Sequence, residues 1–130
     1  MNLLLDTHIW LWWFEDSPKL AGALRDLISD PSNGVYISAI SAWEVGIKSH
    51  LGKLRVDSSL IDLSIEDGFQ FIPFSLQHAT AVQELPLHHR DPFDRALLAQ
   101  AASDGLTLVT ADRQLAAYRD NVPLVLAIKQ

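Results

Sequence analysis

The feature that most restricts how this chain can fold is a set of short apolar runs with no polar alternation: "NLLL" (2–5), "VYIS" (35–38), "FQFIPF" (69–74), "LTLV" (106–109) and "VPLVL" (122–126). A strand with one wet face alternates apolar and polar residues, so these runs predict strands buried on both faces. Between them lie segments with helix start and stop signals. Ser17 and Pro18 open "PKLAGALRDLIS", and Ser41 opens "AWEVGIKSHL" with Gly52 just beyond its end. Asp91 and Pro92 open "PFDRALLAQAAS", which stops at Gly105. "LIDLSIED" (60–67) and "LQHATAVQEL" (76–85) are further helical segments with weaker caps. Alternating strands and helices predict a three-layer α/β/α domain with a largely parallel sheet. No linker, repeat or low-complexity stretch interrupts the sequence, so residues 1–130 are expected to form one domain.

Composition narrows the function classes. With 48% hydrophobic residues in a chain of 130, a sizeable core is available and disorder is excluded. The absence of cysteine excludes disulfides, thiolate metal sites and a catalytic thiol, and fits a reducing cytoplasm. The apolar start "MNLLLDTHIWLWWF" lacks a basic leader and is broken by Asp6, so it reads as core rather than as a signal peptide. No apolar run reaches the roughly 20 residues that a membrane helix needs. Ten Lys+Arg against 16 Asp+Glu give a net charge of −6, so bulk charge would not draw the chain to a polyanion.

In open parallel sheets, sites form beyond the carboxyl ends of the strands. Four acids fall there: Asp6 ends the first run, Glu44 follows "YISAIS" by one helical turn, Asp94 lies in the first turn of "PFDRALLAQA", and Asp112 follows "LTLVTA". Carboxylates brought together raise one another's pKa, and a divalent cation relieves the repulsion. An all-oxygen set suits a hard ion, Mg²⁺ or Mn²⁺, with coordination positions left for phosphate oxygens and an attacking water. A plainer role competes at three of the positions. Ser41-x-x-Glu44 is a capping-box pattern, Asp91-x-x-Asp94 is a shorter version of one, and Asp112 suits a helix N-terminus. Asp6 has no capping pattern to explain it. Asp91, directly before Pro92, is the better N-cap, which leaves Asp94 free to face the strand ends.

The order and spacing of "LLLDTH", "ISAISAWEVGIK", "HRDPFDRALLAQA" and "LVTADRQL" resemble the PIN-domain family, and within it the ribonuclease toxins of VapC type, over essentially the whole chain. The resemblance implies that Asp6, Glu44, Asp94 and Asp112 bind Mg²⁺ or Mn²⁺ and hydrolyse RNA phosphodiesters. It places Thr110 at a supporting hydroxyl position, with Thr7 beside the first acid, and leaves Asp91 available behind the ligands. It also implies a homodimer and a cognate antitoxin protein that covers the acidic pocket, while the shortness of the apolar runs predicts no membrane association.

Lys48, Arg90, Arg95 and Arg113 all lie within five residues of a proposed ligand and are candidate contacts to the RNA backbone. The competing reading makes them solvated or acid-paired helix residues. His88 and His89 are expected to form a solvated connection. The three tryptophans of "WLWWF" cannot all face one way, so helix core is expected for some and an interface for at least one. Other classes fit less well. A small-molecule phosphohydrolase with an aspartyl nucleophile wants a second acid where His8 stands, and a receiver-type domain wants an aspartate closing "FQFIPFS". A binding module whose acids only cap helices is the non-enzymatic alternative. No HExxH pattern supports a zinc protease.

Overall fold

The computed structural model describes residues 1–126. Strands β1 (Asn2–Leu5), β2 (Gly34–Ser38), β3 (Gln70–Ile72), β4 (Thr107–Thr110) and β5 (Leu124–Leu126) form one sheet in the order β3-β2-β1-β4-β5, and every pairing is parallel. The connections carry helices α1 (Thr7–Phe14), α2 (Gly22–Ser29), α3 (Ala39–His50), α4 (Leu60–Glu66), α5 (Leu76–Ala81) and α6 (Pro92–Asp104), with 3₁₀ segments at Val82–Glu84 and Arg113–Tyr118. No helix among these residues is long and apolar enough to cross a membrane.

The unalternating runs are explained by two cores. Leu3 and Leu5 pack with Ile9, Trp10, Leu24, Ile28 and Leu60 on one face of the sheet. Leu4 and Leu108 pack with Leu97, Leu98, Leu115 and Tyr118 on the other. All three leucines of β1 are 0% exposed, so this strand faces neither solvent side. Full burial is worth about 1.5–3 kcal/mol for each such side chain, which makes β1 the natural centre of the sheet.

Helix starts differ from expectation in two places. The segment opened by Ser17 does not become helical until Gly22, because Ser17 folds into a local turn: its hydroxyl accepts from Lys19 N, and Leu20 N and Arg25 Nη2 donate to its carbonyl. The helix expected from Ser41 begins earlier, at Ala39, and its N-cap is Ser38, whose hydroxyl accepts from Ile40 N at 3.0 Å. Ser41 therefore sits inside the helix, and Ser41-x-x-Glu44 is not a capping box. The expected Asp91 cap is present, with Pro92 at the first helical position, and α6 ends at Gly105 with φ 66°, a left-handed conformation that suits glycine. Ser38→Ala is accordingly expected to lower stability by roughly 0.5–2 kcal/mol while leaving Mn²⁺ affinity unchanged, measured by thermal melts with and without the ion.

Candidate active site

The strand order reverses direction beside β1, where β2 leads away on one side and β4 on the other. Such a switch point opens a crevice at the carboxyl ends of the strands. The parallel register pairs Leu5 with Val109, so the next residues, Asp6 and Thr110, emerge side by side. The Thr110 hydroxyl donates to Asp6 Oδ2 and accepts from Asp112 N at 3.1 Å. On the other flank, Thr7 donates to Glu44 Oε1 at 2.6 Å and lies 3.0 Å from the Ser41 hydroxyl, which ties the end of β1 to α3. Asp6, Thr7, Ser41, Glu44 and Thr110 are all buried. A shallow cleft of about 260 Å³ opens over Asp6 and Asp112, bordered by His8, Trp12 and Ala111.

Asp6 also caps a helix, which the sequence reading missed. Its backbone is extended at the start of α1, and its Oδ1 accepts from Ile9 N at 2.9 Å. The miss follows from leaving α1 unassigned, since a cap is invisible without its helix. Within α1, Trp10 is core and donates to Ser64, Trp13 donates to Asp67, and Trp12 stands at the cleft facing His8 and Lys19.

The acids communicate electrostatically. Burial raises the pKa of Asp6, against its bonds from Thr110 and Ile9 N, and the charge of Glu44 adds to the rise. Asp94, in the first turn of α6, is pushed up to about 6 chiefly by burial, with Asp91 and Asp6 adding to it and His89 opposing it. Asp91 accepts from Phe93 N and Asp94 N at 2.9 and 3.0 Å, the capping role assigned from sequence. Asp112 caps the 3₁₀ helix Arg113–Tyr118 by accepting from Gln114 N at 2.9 Å.

Counter-charge within the site is sparse. Lys48 is ion-paired with Glu44 one turn away on α3, and that bond raises the lysine's pKa. The imidazole of His89 lies 2.9 Å from Asp94 Oδ2 and 3.9 Å from Asp112 Oδ2. Asp6 and Asp94 are therefore crowded, desolvated acids that the protein neutralises incompletely. His89, Asp94 and Asp112 offer ligand atoms within 4.8 Å of one another. Carboxylates whose charged form is disfavoured chiefly by burial, with one imidazole beside them, fit a divalent cation of the Mg²⁺ class.

Two residues are placed differently from expectation. His89 is drawn into the acidic cluster rather than left in a solvated connection. Arg95 is turned away from it: its guanidinium donates to the carbonyls of Val82, Leu85, Pro86 and His89 and to the Tyr118 hydroxyl at 3.1–3.4 Å. It is committed to holding a loop and is not a free phosphate ligand. Arg113 and Arg90 are exposed.

The fold is shared with known proteins. The chain is 25% identical over 126 residues to Ribonuclease VapC22 of Mycobacterium tuberculosis, covering 95% of this chain and 96% of that protein. Its fold is similar to that in VapBC2 from Rickettsia felis bound to a DNA fragment from their promoter, with TM-score 0.74, 20% identity and coverage of 98% and 99%. VapBC-1 from nontypeable Haemophilus influenzae matches at TM-score 0.67 and 17% identity, covering 97% and 98%. The model of the PIN domain matches residues 3–121, nearly the whole described fold, and the chain belongs to the PIN-domain family.

Proposed function

We propose that the protein is a metal-dependent endoribonuclease, the toxin of a toxin–antitoxin pair, acting in the cytoplasm. The observation that carries the reading is the pair of desolvated acids, Asp6 and Asp94, held above their ordinary pKa at the switch point of a PIN fold. Asp6, Glu44, Asp94 and Asp112 are the residues that would hold Mg²⁺ or Mn²⁺. When bound there, the ion supplies a water of lowered pKa and offsets charge on the phosphate and leaving oxygen. The protein's own part is orientation. Thr110 and Ile9 N fix both oxygens of Asp6, Thr7 fixes Glu44, and His89 fixes Asp94. Exposed Arg113, next to Asp112, would contact the RNA backbone, and Lys48, ion-paired with Glu44, would lend it further positive charge. No side-chain nucleophile is required.

The VapBC relatives support a small antitoxin as partner. A cationic side chain from such a partner, inserted among the carboxylates, would supply the missing counter-charge and compete with the ion. A homodimer completes the proposal. Incubation of the purified protein with total RNA tests the activity: cleavage with Mn²⁺, none with EDTA, and cleavage at least ~100-fold slower with a parallel preparation of Asp94→Asn are expected. Cleavage that persists in EDTA, or that is undiminished in the variant, would refute it. Co-expression with the neighbouring open reading frame, followed by mass measurement, tests the antitoxin and the dimer separately.

Glu44 should tune the site rather than carry it. Its charge is already balanced by Lys48, so Glu44→Gln is expected to weaken Mn²⁺ binding by about tenfold and slow cleavage, with little change in the melting of the metal-free protein. Unchanged metal binding and cleavage would leave a three-aspartate site.

A further inference from the structure

Tyr118 ends the 3₁₀ helix that follows Asp112, and it is completely buried. Its hydroxyl gathers three donors: His88 N and His89 N at 3.0 Å each, and Arg95 Nη1 at 3.1 Å. Two successive backbone N–H groups converging on one point form a concavity suited to an electronegative atom, and here the phenol oxygen fills it. Arg95 holds the remaining turns of the same segment through the carbonyls of Val82, Leu85 and Pro86. His89 is held on both sides of its peptide unit, its N–H by Tyr118 and its carbonyl by Arg95 at 3.4 Å. Around it Leu87, His88 and Arg90 are exposed, so burial does little to fix this stretch. The side chain that leaves this anchored backbone is the imidazole that bonds to Asp94 and approaches Asp112.

We propose that Tyr118 is a positioning residue for the acidic site, acting through His89. The buried phenol, braced by Arg95, fixes the His89 backbone; the imidazole then orients the Asp94 carboxylate. Loss of a partner that orients a ligand in this way typically costs roughly 10–100-fold in metal affinity. The cleavage readout of this inference rests on the nuclease reading, and the metal-binding readout does not.

The test is a double-mutant cycle of Tyr118→Phe and His89→Ala, read by Mn²⁺ titration with electron paramagnetic resonance and by kcat and KM on RNA, well below each variant's melting temperature. Tyr118→Phe keeps the ring and removes only the acceptor. It is expected to lower Mn²⁺ affinity and kcat by ~10-fold or more, with KM nearly unchanged. His89→Ala should do the same, and the double variant should be no worse than His89→Ala alone, because losses carried through one group do not add. Losses that multiply, or a Tyr118→Phe protein with full Mn²⁺ affinity, would overturn the proposal. Amide exchange in the unaltered protein keeps it testable if Tyr118→Phe does not fold: protected His88 and His89 amides are required, and rapid exchange would refute the anchor. An unaltered protein that binds Mn²⁺ but cleaves no RNA would sink the nuclease reading alone. One that binds no Mn²⁺ would sink both.

Discussion

Asp6→Asn, Asp94→Asn and Asp112→Asn are each expected to lower RNA cleavage by at least ~100-fold without unfolding the protein. Each substitution removes the charge of a proposed ligand and keeps the shape of the side chain. For Asp6 and Asp94 the metal-free fold should gain stability, because both carboxyls are held above their ordinary pKa by burial and by neighbouring acids. Asp6→Asn retains partners for its remaining oxygen and new amide, since the Thr110 hydroxyl can accept as readily as donate. The informative control is Asp91→Asn. Asp91 caps α6 through Phe93 N and Asp94 N, and Asn caps nearly as well as Asp, so its effect should be far smaller. Equal losses at Asp91 and Asp94 would reverse the division of labour between cap and ligand. Cleavage that survives all three substitutions would move the chemistry away from these acids, whereas an unaltered protein that neither binds Mn²⁺ nor cleaves RNA would favour a module whose acids serve only as caps.

In EDTA, the protein is expected to melt at progressively lower temperature as pH rises from 5 to 8, and with Mn²⁺ the trend should reverse. The sign follows from Asp94, whose pKa rises from 3.8 to about 6 in the fold, chiefly through burial. A carboxyl that binds its proton more tightly folded than unfolded adds most stability below its unfolded pKa. That contribution is lost as pH climbs through the folded value. Asp6 shifts in the same direction, and the groups facing Asp94 are Asp91, Asp6, Asp112, His89 and Lys48. A displacement of about two units corresponds to at most about 3 kcal/mol, reduced by the solvent that still reaches Asp94. Asp30 and Asp57 are shifted downward by their bonds to Ser32 and Ser59, so their contributions fade only in more acidic solution, outside this window. The ion binds ionised carboxylates, so its stabilisation grows with pH by mass action. A melting temperature that stays level or rises between pH 5 and 8 in EDTA would contradict the electrostatic account, and Asp94→Asn should flatten the slope.

Together these outcomes separate two sources of function in one cluster. Asp6 and Asp112, which start α1 and the 3₁₀ helix, also border the crevice, so capping does not exclude the proposed ligation at either position. A carboxylate already held by backbone N–H groups is oriented before any ion arrives. Such a dual role would explain why single positions read ambiguously in the sequence while their joint pattern did not.

The sequence by itself determined the layers, the strand positions, the acids after the strands and the Asp91–Pro92 start of α6. These depend on short-range periodicity and on bonds between residues two to four apart, which a linear pattern displays directly. The Ser38 and Asp6 caps are also bonds two and three residues apart, and they were hidden only because the starts of α3 and α1 were not placed; the tertiary structure alone decided that Arg95 faces a loop and that His89 faces the acids. Arg95 and His89 both depend on Tyr118, which lies 23 and 29 residues further along the chain. Nothing in the local pattern of "LHHRDPFDR" distinguishes a solvated histidine from one anchored by a distant phenol, because the anchor exists only once α6 and the segment after β4 pack against each other.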